Sequence, residues 1–467
     1  MEKIKIYAQS RKQLADTVTP VNLYLKLRDH FDESMLLESS DFRSIENCNS
    51  YIGLGKLASV TIQHGRVWIQ YPGHEVQTLE AKVPHDASRY LQAFMDQFEL
   101  KADGAYKLTN GIFGHFNFEA IQYFDTLRFD TTKESVDIPD ARFTLYQFVL
   151  AIDHFKEELY LLENSLDPDQ NNLDKIEALI SNEHIHTFKF NKDGDETSSL
   201  TDHEYRELVR KGKHHCQIGD VFQVVFARRF RQGFKGDDFN VYRALRSINP
   251  SPYLFYFDMG NYRIFGSSPE SQLVINKGVA TVNPIAGTYK RTGNDEQDRP
   301  RAKDLAADPK ENAEHIMLVD LARNDLGIHS DRVEVKILKE IQYFSHVIHL
   351  VSNVEGTLSK GYNMFTVFGD TFPAGTLSGA PKYKAIELIK SYEAEPRNFY
   401  GGSIGFAGFD GSLVHAITIR SFLSKDHVLH YQAGAGIVAS SVEESELQEV
   451  HNKLGALRTA MTKAETL

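Results

Sequence analysis

Cysteine is nearly absent from this chain: 467 residues hold two, Cys48 and Cys216. Two thiols build no disulfide framework, and no C-x-x-C pair suggests a zinc site. Tryptophan is scarcer still, with Trp68 alone. No apolar run approaches the roughly 18 residues of a membrane-spanning helix. The opening residues, MEKIKIYAQSRKQLADT, lack the apolar stretch of a secretory signal and any transit-peptide bias, so a cytoplasmic setting is expected. Basic excess is missing too. Net charge is −12, whereas a general nucleic-acid binder carries a positive balance. An acidic chain that takes an anionic substrate needs local Arg or Lys, or a divalent cation, at the site.

What is present is the composition of a soluble globular protein, 41% apolar and 25% charged. The length exceeds one ordinary core and implies two domains or a two-lobed unit. Strand-like runs (ASVTIQHGRVWIQY, FTLYQFVLAID) mix with a helical SRYLQAFMDQFEL in the first part. Between residues 165 and 200 the pattern decays into DPDQNN and NKDGDETSS, which read as a linker. Thr201 and Glu204 then form a capping box that opens a helix. We place the boundary near residue 195, giving units 1–194 and 195–467. The second unit alternates strands (VFQVVFARRF, YLFYFDM, HAITIRSFLS, HVLHYQA) with helices, without a clean βαβ series. The expected class is α+β: a large two-lobed sandwich of mixed and antiparallel sheets covered by helices.

Two helical stretches present carboxylates at i, i+3. In DPKENAEHIMLVDLARNDLG, Asp308 suits the N-cap, Pro309 the first turn and Gly327 the stop, and Glu311 and Glu314 share a face. In SSVEESELQEVHNKLGALRTAM, Ser441 and Glu444 form a second capping box. There Leu447, Val450, Leu454 and Leu457 make the apolar stripe, with Glu446, Glu449 and Lys453 on another face. Two readings stay open: solvated glutamate faces, or a hard-cation site in which both helices face one Mg²⁺ completed by waters. Gly434, Ala435, Gly436 and Ala439 spell G-x-G-x-x-A after a strand. The chain ends too soon after it for a Rossmann unit. An anion-facing backbone turn and an ordinary glycine turn both remain.

The ordered set PIAGT, AEHIMLVDLARNDLG, HVIHLVSNVEGTL, FPAGTLSGAPK, YGGSIGF, ITIRS and QAGAGIVAS resembles the chorismate-utilising enzymes, and most closely the large subunits of anthranilate synthases. Upstream, MLLESS and NPSPYLF resemble the tryptophan feedback site of those subunits. The resemblance implies that chorismate and ammonia give anthranilate and pyruvate, with Mg²⁺ as cofactor. Glu314 and Glu449 would be the principal metal ligands, with Glu311 and Glu446 close by. His349 would be the catalytic acid–base group. Thr376, Gly287 and Thr288 would line the ring pocket. Arg420, with Tyr400 beside it, would grip a carboxylate, the backbone of Gly434, Ala435 and Gly436 would complete the anion cradle, and Lys453 would be an electrostatic neighbour. His315 and His346 lie near His349 in sequence, and only the motif separates the three.

Related enzymes carry a lysine where this chain has Ala286. A lysine there can attack the ring or activate water; alanine instead leaves room for ammonia. That ammonia would come from a separate glutamine amidotransferase subunit, because neither Cys48 nor Cys216 sits in a nucleophile-elbow context and both read as structural. Ser39, Pro252, Tyr253 and Leu254 would line a tryptophan pocket between the two units. The chain departs from the family pattern at Tyr289–Gly293, after PIAGT, and at Ser440 and Glu443. An aminodeoxychorismate synthase component and a non-catalytic tryptophan-binding subunit are the alternative readings.

Overall fold

The apolar alternation of ASVTIQHGRVWIQY folds as a two-stranded hairpin. Strand Asn49–Gln63 pairs with Arg66–Gln70 through a two-residue turn in which His64 and Gly65 both adopt positive φ, 48° and 74°. That turn matches the right-handed twist of its strands. The computed structural model describes residues 2–39, 49–102, 110–130, 133, 135–182, 184–343 and 347–467. Cys48 and His346 lie outside them, as does the side chain of Thr288.

Two long antiparallel ribbons diverge from the central pair of strands Asn49–Gln63 and Ala141–Asp153. One runs through Gly111–Phe116, Ser403–Gly408, Leu413–Ile417, Ser271–Asn276 and Val279–Val282 to Val347–Leu358. The other runs through Ser34–Ser39, Tyr253–Asp258, Arg263–Ser268, Ser421–Lys425 and Val428–Ile437 to Gln223–Gly236. Among the described pairings only Ile4–Leu14 with Phe98–Ala102 is parallel. The fold is therefore the expected α+β sandwich. Both ribbons weave strands from before and after residue 195: Gly111–Phe116 pairs with Ser403–Gly408, and Ser34–Ser39 with Tyr253–Asp258.

Buried aromatic and aliphatic side chains fill the interior, with the Phe116 ring against those of Phe143, Phe368 and Phe372. The stretch read as a linker is more ordered than its polarity suggested. It holds helix Leu173–Ser181, which buries Leu173, Ile176 and Ile180, and strand Phe190–Ser198, which pairs with Gln223–Gly236. Past the buried Phe190 the strand is exposed on both faces, which explains its polar sequence. HAITIRSFLS is two strands with a corner, not one, and Arg420 sits at that corner with φ 49°. No described helix is long and apolar enough to cross a membrane.

Candidate active site

Two helices deliver the carboxylates. Helix Pro309–Gly327 starts where the Asp308 side chain accepts the Lys310 and Glu311 backbone N–H groups, which fixes the first turn and with it Glu311 and Glu314. Helix Glu443–Ala464 starts differently from the expected capping box: its N-cap is Val442, without a side-chain cap. Ser441 instead accepts the Val438 N–H at 3.0 Å and interacts with Glu446. The serine thus ties the end of the glycine-rich strand to a carboxylate of the helix.

The carboxylates of the two helices lie within electrostatic reach of each other. Burial, then Glu314, Asp308 and Glu449, hold the Glu311 carboxyl above its ordinary range. Burial raises Glu446 as well, with Glu449 adding to the effect. Carboxylates close enough to repel a neighbour's charge share a site and favour a cation between them. No three His, Cys, Asp or Glu residues among those described form a metal cluster on their own. An ion held by these few carboxylates would have to keep several waters, as Mg²⁺ does. Lys453 lies beside this cluster, 2.7 Å from Glu449 and donating to the Gly434 carbonyl at 2.9 Å.

The opposite wall is strand Ile285–Lys290 against Val347–Leu358. A register shift between Ala286 and Thr288 leaves Gly287 in the left-handed region at φ 80°. A Cβ there would stand 3.1 Å from Leu305 Cδ1 and 3.3 Å from Glu311 Oε2. The Gly287 carbonyl accepts from His349 Nδ1 at 3.1 Å. A carbonyl can only accept, so Nδ1 carries the hydrogen and Nε2 is the basic nitrogen. Burial, then Arg420 and Lys453, pull the His349 imidazole down to about 4, so it is neutral at physiological pH. His315 is fully buried, and its Nε2 meets Ser352 Oγ at 2.6 Å. It braces the wall rather than facing substrate.

Arg420 closes the third side. No described residue hydrogen-bonds its guanidinium, and burial draws it below the usual arginine range while Glu270 works against that. Glu270, from SSPESQLV, is a residue that sequence reasoning missed. It is 8% exposed, and burial pushes its carboxyl up to about 8 against the opposing pull of Thr376, Arg420 and Lys453. Thr376 Oγ1 donates to it at 3.1 Å. A small cavity of about 40 Å³ behind this pair is lined by Glu270, Gln272, Asp325 and Thr376. Tyr400 is buried beside the Gly434 backbone, and Arg397 stacks 5.8 Å from its ring.

Gly434, Ala435 and Gly436 lie inside strand Val428–Ile437 rather than in a turn, paired with Ala227, Phe226 and Val225. The reason is space. A Cβ on Gly434 would stand 2.6 Å from the Phe226 carbonyl oxygen, and one on Gly436 2.4 Å from Gln223 Nε2. Past Tyr431 the strand's second edge has no strand partner among the described pairings, and there Lys453 meets the Gly434 carbonyl.

Away from this centre, Ser39 pairs in register with Tyr253, and Glu38 with Leu254, so Ser39 and the segment Pro252, Tyr253 and Leu254 are neighbours. Glu38 is buried and accepts from Tyr242 and Arg246. Cys216 donates to the Ile437 carbonyl, and burial raises its thiol to about 11, which is the opposite of an activated nucleophile.

The chain matches the chorismate binding enzyme family over residues 39–459. It is 35% identical to anthranilate synthase component 1 of Aquifex aeolicus, covering 97% of this chain and 94% of that relative. It is 36% identical to the component 1 of Acinetobacter calcoaceticus, at 97% and 94% coverage. The crystal structure of anthranilate synthase component I from Streptococcus pneumoniae superposes with a TM-score of 0.74 at 29% identity, covering 96% of this chain and 99% of that one. The menaquinone-specific isochorismate synthase of Escherichia coli shares the fold, with a TM-score of 0.74 at 18% identity and 99% and 96% coverage.

Proposed function

Because the chain belongs to the chorismate-binding enzymes, we propose that it turns chorismate and ammonia into anthranilate and pyruvate, the activity for which its component 1 relatives are named. The observation that supports this most is a buried carboxyl, Glu270, and a buried imidazole, His349, that face the same Arg420 and Lys453. Arg420 suits a substrate carboxylate, since its guanidinium offers a planar fork and no described partner occupies it. Glu270, protonated up to about pH 8, donates its proton to the ring oxygen as ammonia adds and water leaves. Neutral His349 then takes the ring proton at Nε2 and passes it to the methylene carbon of the departing enolpyruvyl group, releasing pyruvate as the ring aromatises. Gly287 and Thr288 line the ring pocket, and the open edge at Gly434, Ala435 and Gly436 completes the cradle with Tyr400 and Lys453.

Glu314 and Glu449, with Glu311 and Glu446 beside them, would hold Mg²⁺, whose charge neutralises the ring carboxylate and eases loss of the hydroxyl. Ala286 leaves the amine route open where a lysine would compete for it. The ammonia comes from a glutamine amidotransferase component, since Cys216 is inert. An apolar groove of about 800 Å³, lined by Phe222, Ile316, Met317 and Leu338, includes Glu314 in its wall and therefore adjoins the site. We assign this face to that component. Residues 195–467 carry the chorismate site. Residues 1–194 contribute Ser39 to a tryptophan pocket shared with Pro252, Tyr253 and Leu254, where tryptophan inhibits. The setting is cytoplasmic.

The test is turnover by the purified chain with chorismate and Mg²⁺ at mildly alkaline pH. Anthranilate fluorescence should rise with an ammonium salt and stay flat with glutamine. A different chorismate product, or no ammonium-dependent product, overturns the reading.

A further inference from the structure

We propose that Gln223 positions the cation site: its amide fixes Glu314, and its carbonyl receives a hydrogen bond from the water shell of the bound cation. This rests on the divalent-cation reading above. Gln223 opens strand Gln223–Gly236 and is clamped on both sides by backbone pairing, Gln223 with Ala380 and Val224 with Ile437. Gly379 permits the first clamp, since a Cβ there would stand 2.2 Å from the Gln223 carbonyl oxygen. Gly436 leaves the space that the side chain fills. The side chain is therefore held in place, in a residue only 3% exposed.

Its Nε2 donates to Glu314 Oε1 at 2.7 Å. Its Oε1 is buried and has no hydrogen-bond partner among the described residues. The opposite amide orientation would set two acceptors against each other, so the donor must face the glutamate. An orphaned buried acceptor destabilises the fold unless a donor reaches it. A hydrated divalent cation at Glu314 brings such donors, because Mg²⁺ retains several of its waters. One glutamine thus orients a ligand oxygen and completes the layer behind the ion, the arrangement that tunes metal sites generally.

The experiment titrates Mn²⁺ into the full chain and reads free Mn²⁺ by electron paramagnetic resonance, with chorismate present and ammonium absent so that nothing turns over. Gln223→Met keeps the volume and removes both polar contacts. We expect its Mn²⁺ affinity to fall about 10–100-fold. The Mg²⁺ concentration for half-maximal ammonium-dependent turnover should rise in parallel, and the chorismate KM at saturating Mg²⁺ should stay near wild type. Should that variant fail to fold, Gln223→Asn, one methylene too short for Glu314, carries the same expectation. A folded variant that binds Mn²⁺ within twofold of wild type overturns the inference and leaves the cation reading standing. A wild-type chain that binds no Mn²⁺ and turns over without a divalent cation overturns both.

Discussion

Replacing Glu270 by glutamine separates two consequences of its burial. The amide cannot donate an acidic proton, so kcat should fall by about 10²- to 10⁴-fold. Stability should move the other way. An unfolded chain releases this proton near 4.5, whereas the folded site keeps it to about 8. Wild type therefore loses stability as pH rises from about 4.5 to about 8, and Glu270→Gln removes that loss. Melting curves should coincide at pH 4 and separate at pH 8, with the variant higher by an amount on the order of a few kcal/mol. Equal melting at both pH values would place the proton elsewhere. The same titration predicts that wild-type kcat/KM declines above about pH 8 as the acid form disappears. Ala286 gives a second test at this scale. A lysine introduced by Ala286→Lys adds an amine and three methylenes beside Gly287, and anthranilate formation should drop at least about 10²-fold through displaced substrate. Retained ammonium-dependent anthranilate formation would show that the position does not decide the nucleophile.

The helix Pro309–Gly327 shows how much was legible at the level of elements. Its cap, its first-turn proline and its glycine stop stand in the sequence because each is local chemistry within one or two turns. The capping box at Thr201 and Glu204 formed for the same reason. The box expected at Ser441 and Glu444 did not, because the Val438 N–H reached Ser441 first, a contact made by the strand's exit rather than the helix pattern. Strand Phe190–Ser198 looked like a linker because nearly all of its residues after Phe190 are exposed, and its partner is more than thirty residues away. Glu270 escaped notice because its raised pKa comes from burial among distant elements, while Arg420 and His349 were expected from motifs rather than periodicity. The cap also links stability to chemistry. Asp308→Ala should cost about 1–2 kcal/mol and loosen the turn that carries Glu311 and Glu314. We expect a lower melting temperature together with a higher Mg²⁺ requirement. A melting shift without a change in Mg²⁺ response would separate the cap from the metal-site face.

At the scale of the molecule, the ends of the two ribbons and the two glutamate helices leave one side of the site beside an apolar face. Phe222 is 73% exposed and Leu338 54% exposed on that face, with Lys310 and Arg323 among the groove's charged residues. Scattered apolar residues are ordinary on a surface, but a contiguous groove with charged neighbours marks an interaction site. A partner seated there would release ammonia next to Glu314 instead of into bulk water, where the protonated form dominates at neutral pH. Leu338→Asp lies outside the catalytic machinery and buries a charge only when the partner is docked. Ammonium-dependent turnover should therefore match wild type. Glutamine-dependent turnover with the amidotransferase component should fall at least tenfold, because an unpaired charge in a formed interface costs well over the 1.4 kcal/mol of one decade. If both activities fall together, the substitution has disturbed the site itself. If glutamine-dependent turnover is unaffected, the partner sits on another face and the groove is not the path by which ammonia arrives.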